Sequence, residues 1–410
     1  MAHPMKTAKL ALSDGSVFQG LALGADGESL GEAVFNTALT GYQEVFTDAS
    51  YNGQMVVMTN PLIGNYGLNT EDEESSRPHL SGVVVREVSR RVSNHRSTVD
   101  LHTYLDKHGV VGISGVDTRA ITKLLRVEGS LKAVISSTDL DDARLVEKAR
   151  AWDGLIGKDM VKPVTCSEIY EWTQGSDGPF YFNDIRPLGQ GLRIAAFDFG
   201  VKYNILRILK TMGFEVHVLP ATATADQVRA LNPHGVFLSN GPGDPEGLPY
   251  AIETVAQLVN EYPTFGICLG HQLLSLALGG STYKLKFGHH GGNHPVQNIF
   301  SRKVDISVQN HCFCVDIDSL DRSVIKPYFV NLNDDSLEGV YHTKLPLFSV
   351  QFHPEAAPGP NDFSFLFEDF ATMVREQRPL SPESGSRFSQ GGAPGGASGE
   401  QVVLKGGPRD

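Results

Sequence analysis

The segment PTFGICLGHQ, residues 263–272, places Cys268 between two glycines at the end of a short apolar run. A nucleophile elbow has the form Gly-x-nucleophile-x-Gly between a strand and a helix, because its central residue is held in a strained conformation and its neighbours are crowded. Gly266 and Gly270 occupy the two outer positions. A thiol at a helix N-terminus also feels the positive end of the helix dipole, which favours the thiolate. The pattern indicates a nucleophile; the alternative is an inert thiol packed in the core.

A thiolate nucleophile usually needs a base and a group that orients the base. The segment LFSVQFHPEA, residues 347–356, is typical of an apolar strand that ends in His353-Pro354-Glu355. Because residues i and i+2 of a strand point to the same face, we expect the imidazole and the carboxylate to lie side by side. His271 competes for the role of base, but its position inside the predicted helix favours packing or orientation over proton transfer.

Two further segments are rich in glycine or histidine. SNGPGDPEG, residues 239–247, lacks the Lys-Ser/Thr ending of a phosphate loop. Its Gly241 and Gly243 would instead let backbone N–H groups approach a ligand, unless the segment is a plain turn.

KFGHHGGNHP, residues 286–295, has no cysteine or carboxylate nearby at ligand spacing, so we expect no metal site there. Cys312 and Cys314 are too close in sequence for a relaxed disulfide.

The elements that must position these residues fall into regions. Residues 1–155 contain short strand-like runs, such as KLALSDGSVFQG and GQMVVMTN, and a helical stretch in DTRAITKLLR, which predict a mixed α+β domain. Residues 156–190 have many turn formers and are predicted to be a connector across a surface. Residues 379–410 are dominated by Gly, Ser and Pro, and predict a disordered tail.

Residues 191–378 alternate between apolar strands and helices. The predicted order is LRIAAFDFG, VKYNILRILKTMG, FEVHVLP, HGVFLSNGPGDP, AIETVAQLVN, PTFGI and LLSLALGG. This alternation is typical of an α/β domain with a doubly wound, mostly parallel sheet, in which ligands bind beyond the carboxyl ends of the strands. Cys268 and the SNGPGDP loop would both lie at that edge.

Length and composition limit the classes of protein to which this chain can belong. The chain has 410 residues, which suggests two or three domains, and acidic residues outnumber basic ones by 47 to 35. This balance opposes binding to nucleic acid or to anionic membranes. There is no apolar run of about 18 residues and no signal-peptide pattern, and four cysteines are too few for a disulfide framework. We therefore expect a cytoplasmic protein.

Several segments together resemble one family. GICLGHQ, SNGPGDP and SVQFHPEA are similar to the signature of class I (triad) glutamine amidotransferases. GEAVFNTALTGYQEVFTDASY, NPLIGNYG, GVDTRAITKLLR, DFGVKYNILR and KFGHHGGNHPV extend the resemblance to the small subunit of carbamoyl phosphate synthetase, over nearly all of residues 8–378.

The resemblance implies a mechanism and a site. Cys268 would attack the side-chain amide of L-glutamine, His353 would transfer the proton, Glu355 would orient His353, and water would hydrolyse the γ-glutamyl thioester. Gly243 and Leu269 would donate backbone N–H groups to the oxyanion. The glutamine site that the resemblance implies comprises Ser50, Gly241, Gly243, Leu269, Gln272, Asn310, Cys312 and Phe313.

The resemblance also implies a partner. Ammonia would pass through an internal tunnel to a large subunit, which uses bicarbonate and two ATP, with Mg²⁺, to make carbamoyl phosphate for arginine and pyrimidine biosynthesis. The N-terminal domain would be mainly the docking surface in this heterodimer. No cofactor and no metal are expected in this chain, and the lack of a phosphate loop agrees with ATP chemistry in the partner.

Two positions depart from the family pattern. Cys312 stands where the family usually has glycine, which brings its glutamine contact into question if that glycine has φ > 0 or makes room for substrate. Ala49 stands where proline is common, and should only loosen the loop. The alternatives are an amidotransferase that feeds another synthase, a non-catalytic docking subunit whose pocket Cys312 blocks, and a cysteine peptidase.

Overall fold

The computed structural model describes residues 6–176 and 185–380. Residues 381–410 of the predicted tail and residues 177–184 of the predicted connector lie outside the described residues.

Seven strands of the N-terminal region close into a barrel in the order β1-β2-β8-β6-β4-β3-β9, and β5 pairs with β7 in a small separate sheet. Ile121 and Leu125 of the predicted helix are buried against the barrel, and Asp117 caps that helix by accepting from the N–H of Ala120. The predicted strands and helix are confirmed; closure into a barrel was not predicted. The elements are β1 Thr7–Leu12, β2 Val17–Gly24, β3 Glu28–Asn36, α1 Tyr42–Thr47, β4 Gln54–Met58, β5 Leu62–Ile63, β6 Gly82–Val85, β7 Glu87–Val88, α2 Leu101–Lys107, β8 Val111–Ser114, α3 Thr118–Glu128, β9 Leu131–Ser136 and α4 Asp142–Ala151.

The rest of the described chain forms a ten-stranded sheet in the order β10-β12-β11-β13-β14-β19-β18-β17-β15-β16. Its elements are β10 Tyr170–Trp172, β11 Arg193–Asp198, α5 Tyr203–Thr211, β12 Glu215–Pro220, α6 Ala225–Ala230, β13 Gly235–Leu238, α7 Pro249–Leu258, β14 Thr264–Ile267, α8 Leu269–Ala277, β15 Ser281–Asn298, β16 Val304–Asp316, β17 Ile325–Asn331, β18 Leu337–His342, β19 Leu347–Val350 and α9 Phe365–Glu376.

The five strands β12, β11, β13, β14 and β19 are parallel, with helices on both faces. Residues of α5 and α9 pack in one core, and residues of α6, α7 and α8 pack in the other. Successive residues of β11 alternate between these cores, as a strand buried on both faces requires. The predicted doubly wound sheet is therefore confirmed, and the antiparallel strands β15–β18 extend it.

The predicted connector does more than cross a surface. Its residues Tyr170–Trp172 form β10, which pairs antiparallel with β12 and makes one edge of the large sheet. Trp172 is buried in the same core as α5. A three-residue strand is too short to leave a periodic signal in the sequence.

Buried polar contacts join the barrel to the large sheet. Glu74 forms an ion pair with Arg207 at 3.1 Å, and Asp48 accepts a hydrogen bond from Asn310 at 2.8 Å. These contacts place the barrel loop that carries Ser50 against the carboxyl ends of the parallel strands.

Candidate active site

Cys268 lies on a sharp turn between β14 and α8, with φ 54° and ψ −105°. These angles are rare for any residue with a side chain and confirm the strained conformation that the sequence pattern predicts. A Cβ atom on Gly266 would lie 2.7 Å from the Gly270 carbonyl oxygen, and one on Gly270 would lie 2.2 Å from that of Leu238. Both outer positions of the turn therefore require glycine.

His353 and Glu355 meet as predicted, but for a different reason. The Nδ1 atom of His353 lies 2.7 Å from Oε1 of Glu355. The strand β19 ends at Val350, so both residues lie in the loop that follows it rather than in an extended strand. The expected i, i+2 pleat is wrong, and the loop itself brings the two side chains together.

Burial and charge set the protonation of this pair. Burial opposes a charged imidazole, but the negative charge of Glu355, together with the nearby Cys268 thiol, raises the pKa of His353 to about 10. Burial also opposes ionisation of Glu355, but Lys202 and His353 outweigh it and lower the pKa of its carboxyl to about 2. Glu355 is thus a carboxylate at neutral pH and stabilises the imidazolium form of His353. The Nε2 atom of His353 is buried, and no residue of the described chain gives it a hydrogen bond.

The residues that hold Glu355 in place were not predicted from the sequence. The ammonium of Lys202 lies 3.0 Å from Oε1 of Glu355, and the side-chain amide of Asn204 donates to the backbone carbonyl of Glu355 at 2.6 Å. Glu74 of the barrel accepts in turn from the N–H of Asn204 at 3.0 Å. The position of these residues directly after a strand of the parallel sheet, in DFGVKYNILR, was the available signal.

A cavity opens beside Cys268. All but one of the residues predicted to contact glutamine line it: Ser50, Gly241, Gly243, Gln272, Asn310, Cys312 and Phe313. The exception is Leu269, whose side chain is buried against Gly241. As the first residue of α8, Leu269 has a backbone N–H with no acceptor inside the helix, so its predicted role toward an oxyanion stays a prediction.

Ser50 reaches the cavity from the barrel. Asp48 accepts from the N–H of Ser50 at 2.9 Å, and the side-chain amide of Asn240 donates to the Ser50 hydroxyl at 2.9 Å. Gln272 is fixed by donating to the Phe313 carbonyl at 2.8 Å. The polar wall of the cavity is thus held in place before any ligand binds, which reduces the cost of binding.

Cys312 lies in the wall of the cavity. It lies in β16 opposite the register shift between Lys284 and His289 of β15, and it is absent from the described non-glycine residues with positive φ, so a side chain causes no backbone strain here. Its thiol receives a hydrogen bond from Gln54 Nε2 at 3.2 Å and lies 3.6 Å from His290 Nε2. Burial raises the pKa of this thiol to about 12, so it stays neutral.

His271 is a packing residue, as its place in the helix indicated. It is fully buried, and its Nδ1 atom lies 2.8 Å from the Ser349 hydroxyl on β19. Burial lowers the pKa of His271 to about 3. The role of His353 in proton transfer stays a prediction.

A second cavity has His353 and Lys202 in its wall. Asn310 lines both cavities. Glycines and a proline form part of the second wall, namely Gly291, Gly292 and Pro358. His353 therefore borders the second cavity but is not among the residues that line the first.

No helix in residues 6–176 and 185–380 combines the length and the hydropathy that a membrane span would need.

The fold, the strained cysteine and the His353–Glu355 pair define a class I glutamine amidotransferase. Residues 195–373 match the family model described as glutamine amidotransferase class-I. Residues 10–135 match the model described as carbamoyl-phosphate synthase small chain, CPSase domain.

Named relatives agree with the second match. The carbamoyl phosphate synthase small chain of Syntrophotalea carbinolica is 54% identical over 374 residues, which cover 90% of this chain and 98% of that protein. The chloroplastic small chain of Oryza sativa is 48% identical over 375 residues, which cover 91% of this chain and 83% of that protein. The chain belongs to the carbamoyl phosphate synthase small chain family.

Proposed function

We propose that this chain is the glutamine-hydrolysing subunit of a carbamoyl phosphate synthase. The observation that carries the proposal is the position of Cys268, on a strained turn beside the His353–Glu355 pair and in the wall of a polar cavity. A thiolate, an imidazolium and a carboxylate in this order are the groups that acyl transfer from an amide requires.

The reaction has two halves. The Cys268 thiol gives its proton to Nε2 of His353, and its sulfur forms a bond to the side-chain carbonyl carbon of L-glutamine. The tetrahedral oxyanion faces the backbone N–H groups of Gly243 and Leu269. His353 gives its Nε2 proton to the leaving nitrogen, the C–N bond breaks, and ammonia leaves a γ-glutamyl thioester. His353 then takes a proton from water, whose oxygen attacks the thioester, and glutamate and the Cys268 thiol are released.

Ammonia leaves, we infer, through the second cavity. His353, the proton donor to the leaving nitrogen, lies in its wall, and glutamine fills the first cavity during the reaction. A large subunit docked mainly on the barrel would receive the ammonia and would use bicarbonate and two ATP, with Mg²⁺, to make carbamoyl phosphate for arginine and pyrimidine synthesis. The four free cysteines of this chain fit a reducing, cytoplasmic setting.

The experiment measures ammonia and glutamate release from L-glutamine by the purified chain, alone and mixed with a large synthase subunit. We expect turnover that rises with the large subunit and is lost in Cys268→Ala. Release of peptides from a casein substrate, with no glutamine turnover, would indicate a cysteine peptidase. Absence of turnover in both states would indicate a docking subunit without catalysis. Turnover indifferent to the large subunit would indicate an amidotransferase that serves another synthase.

A further inference from the structure

Three buried side chains beside the glutamine cavity lie close together: His289 of β15, His311 of β16 and Glu338 of β18. One ligand-type atom of each residue lies within 4.8 Å of the other two. His289 and His311 are directly opposite each other in the β15–β16 ladder, so both imidazoles project from the same face. No metal was expected at the histidine-rich segment because no carboxylate is near it in sequence. The fold supplies one from β18.

His289 has one ring nitrogen whose surroundings do not suit a neutral imidazole. Its Nε2 atom lies 2.8 Å from Asp334 Oδ2, an acceptor, so Nε2 carries the proton. Its Nδ1 atom is buried, has no hydrogen-bond partner among the described residues, and lies 3.8 Å from Glu338 Oε1. The lone pair of Nδ1 would then face a carboxylate, which a cation between them would resolve.

His311 has the same difficulty. Its Nδ1 atom lies 2.8 Å from the Phe313 carbonyl, and its Nε2 atom lies 3.0 Å from Gln309 Oε1. The amide nitrogen of Gln309 donates to Glu338 and Ser307, which fixes Oε1 as the atom that faces the ring. A neutral imidazole has a single N–H, so one of these two acceptors faces a ring nitrogen that carries no proton.

We propose that His289, His311 and Glu338 bind a divalent transition-metal ion, with zinc as the best match to the ligand set. One ion would account for both contacts: Nδ1 of His289 and Nε2 of His311 would bind it. The side-chain oxygen of Gln309, 3.0 Å from Nε2 of His311, would be available as a fourth ligand. Two imidazoles with oxygen ligands suit zinc. Metal–ligand bonds of about 2.1 Å require neighbouring ligand atoms to be about 3.4 Å apart. The three side chains would therefore approach one another by roughly 1 Å when the ion binds.

The surroundings resemble those of a built metal site. A metal-bound histidine commonly donates its other ring N–H to a carboxylate or a carbonyl. Asp334 provides that acceptor for His289, and the Phe313 carbonyl provides it for His311. Asn331 donates to Glu338 at 2.7 Å and orients the carboxylate.

The ion would have a structural role. The cluster is buried, and the residues of β16 on either side of His311 form the wall of the glutamine cavity. Linking β15, β16 and β18 would fix that wall. The rival occupant is a proton, which would make His289 an imidazolium between Asp334 and Glu338.

The test uses the full chain after treatment with a chelator and gel filtration. Co²⁺ is titrated while the visible d–d absorption is followed, and Zn²⁺ affinity is measured by competition with a chromogenic chelator. We expect one equivalent of Co²⁺ to produce the absorption band, Zn²⁺ to displace it, and saturating Zn²⁺ to raise the thermal midpoint by several degrees.

Glu338→Gln and His289→Gln should each weaken Zn²⁺ binding by more than the roughly 10- to 100-fold loss typical of outer ligand partners. His95→Asn removes an exposed histidine and should leave binding unchanged, as a control for surface binding. The cobalt spectrum of the unmodified chain needs no variant, so a folding defect in a variant does not obscure the result.

No absorption band and no thermal shift in the unmodified chain would overturn the proposal and leave a proton as the occupant. Binding that both variants retain at full affinity would also overturn it. None of these measurements uses glutamine, so they succeed or fail independently of the proposed reaction.

Discussion

The Nδ1 atom of His353 lies 2.7 Å from Oε1 of Glu355, where both side chains are buried. The same carboxylate oxygen is 3.0 Å from the ammonium of Lys202. Glu355 therefore interacts with two cationic groups, the imidazolium of His353 and the ammonium of Lys202. This arrangement directs Nε2 of His353 away from Glu355 and keeps it available for proton transfer with the thiol of Cys268.

Glu355→Gln should lower kcat for glutamine hydrolysis by about 10²- to 10⁴-fold, because the neutral amide no longer stabilises the imidazolium of His353. KM for glutamine should change little, since Glu355 is absent from the wall of the glutamine cavity. The pKa of His353 should fall from about 10, which the pH profile of kcat/KM measures. A variant with unchanged kcat and an unchanged profile would contradict this role.

The same pair predicts how stability depends on pH. The raised pKa of His353 contributes stability that is fully present below about pH 6.5 and is lost as the pH rises toward 10. The lowered pKa of Glu355 contributes stability that is present above about pH 4.5 and is lost as the pH falls toward 2. The contribution of the pair is therefore greatest between about pH 4.5 and 6.5.

Chemical denaturation should show Glu355→Gln to be less stable than the unmodified chain by about 3–5 kcal/mol near pH 6, and by less at pH 10. Glu261→Gln breaks a surface ion pair with Arg229 and serves as the matched control, with a much smaller change at either pH. A stability difference for Glu355→Gln that grows from pH 6 to pH 10 would refute the assignment.

Much of the C-terminal fold follows from its sequence because each element leaves a local signal. The strand–turn–helix at Cys268 has a fixed spacing of glycines, and the alternating apolar segments give β11, β12, β13 and β14 with their helices. The barrel leaves no such signal. Its neighbours in space, such as β2 with β8 and β3 with β9, are far apart in sequence, so closure depends on long-range pairing.

The residues of the candidate site that belong to a local sequence motif could be predicted from the sequence. Residue type and spacing identified Cys268, His353 and Glu355. They did not identify Lys202 and Asn204, because these residues contact Glu355, which is remote from them in sequence. The reason given for the His353–Glu355 contact was wrong because strand β19 ends before His353.

Cys312→Gly should retain glutamine hydrolysis, with KM changed by less than about tenfold, or 1.4 kcal/mol. The reason is that the thiol is held in the wall of the cavity by its contacts with Gln54 and His290. Cys312→Leu should raise KM by about tenfold or more, because the larger side chain overpacks this wall. Steady-state kinetics with L-glutamine measure both variants. A large gain of activity in Cys312→Gly would show instead that the thiol blocks the pocket.

Gly292→Leu should separate glutamine hydrolysis from carbamoyl phosphate synthesis in the complex with a large subunit. A Cβ atom here makes only ordinary contacts, 3.6 Å from Gly359 and Pro360, and Gly292 lines the second cavity. We expect near-normal glutamate release, several-fold less carbamoyl phosphate per glutamine, and normal synthesis from added ammonium salt. Unchanged coupling would argue against this route for ammonia.

The central claim is that Cys268 carries the γ-glutamyl group. The most direct measurement is acid quenching of the chain during turnover of L-glutamine, followed by peptide mass spectrometry to locate the covalent adduct. The account predicts a glutamyl thioester on Cys268, lost together with turnover in Cys268→Ala. An adduct on another residue, or glutamine hydrolysis that survives in Cys268→Ala, would contradict it.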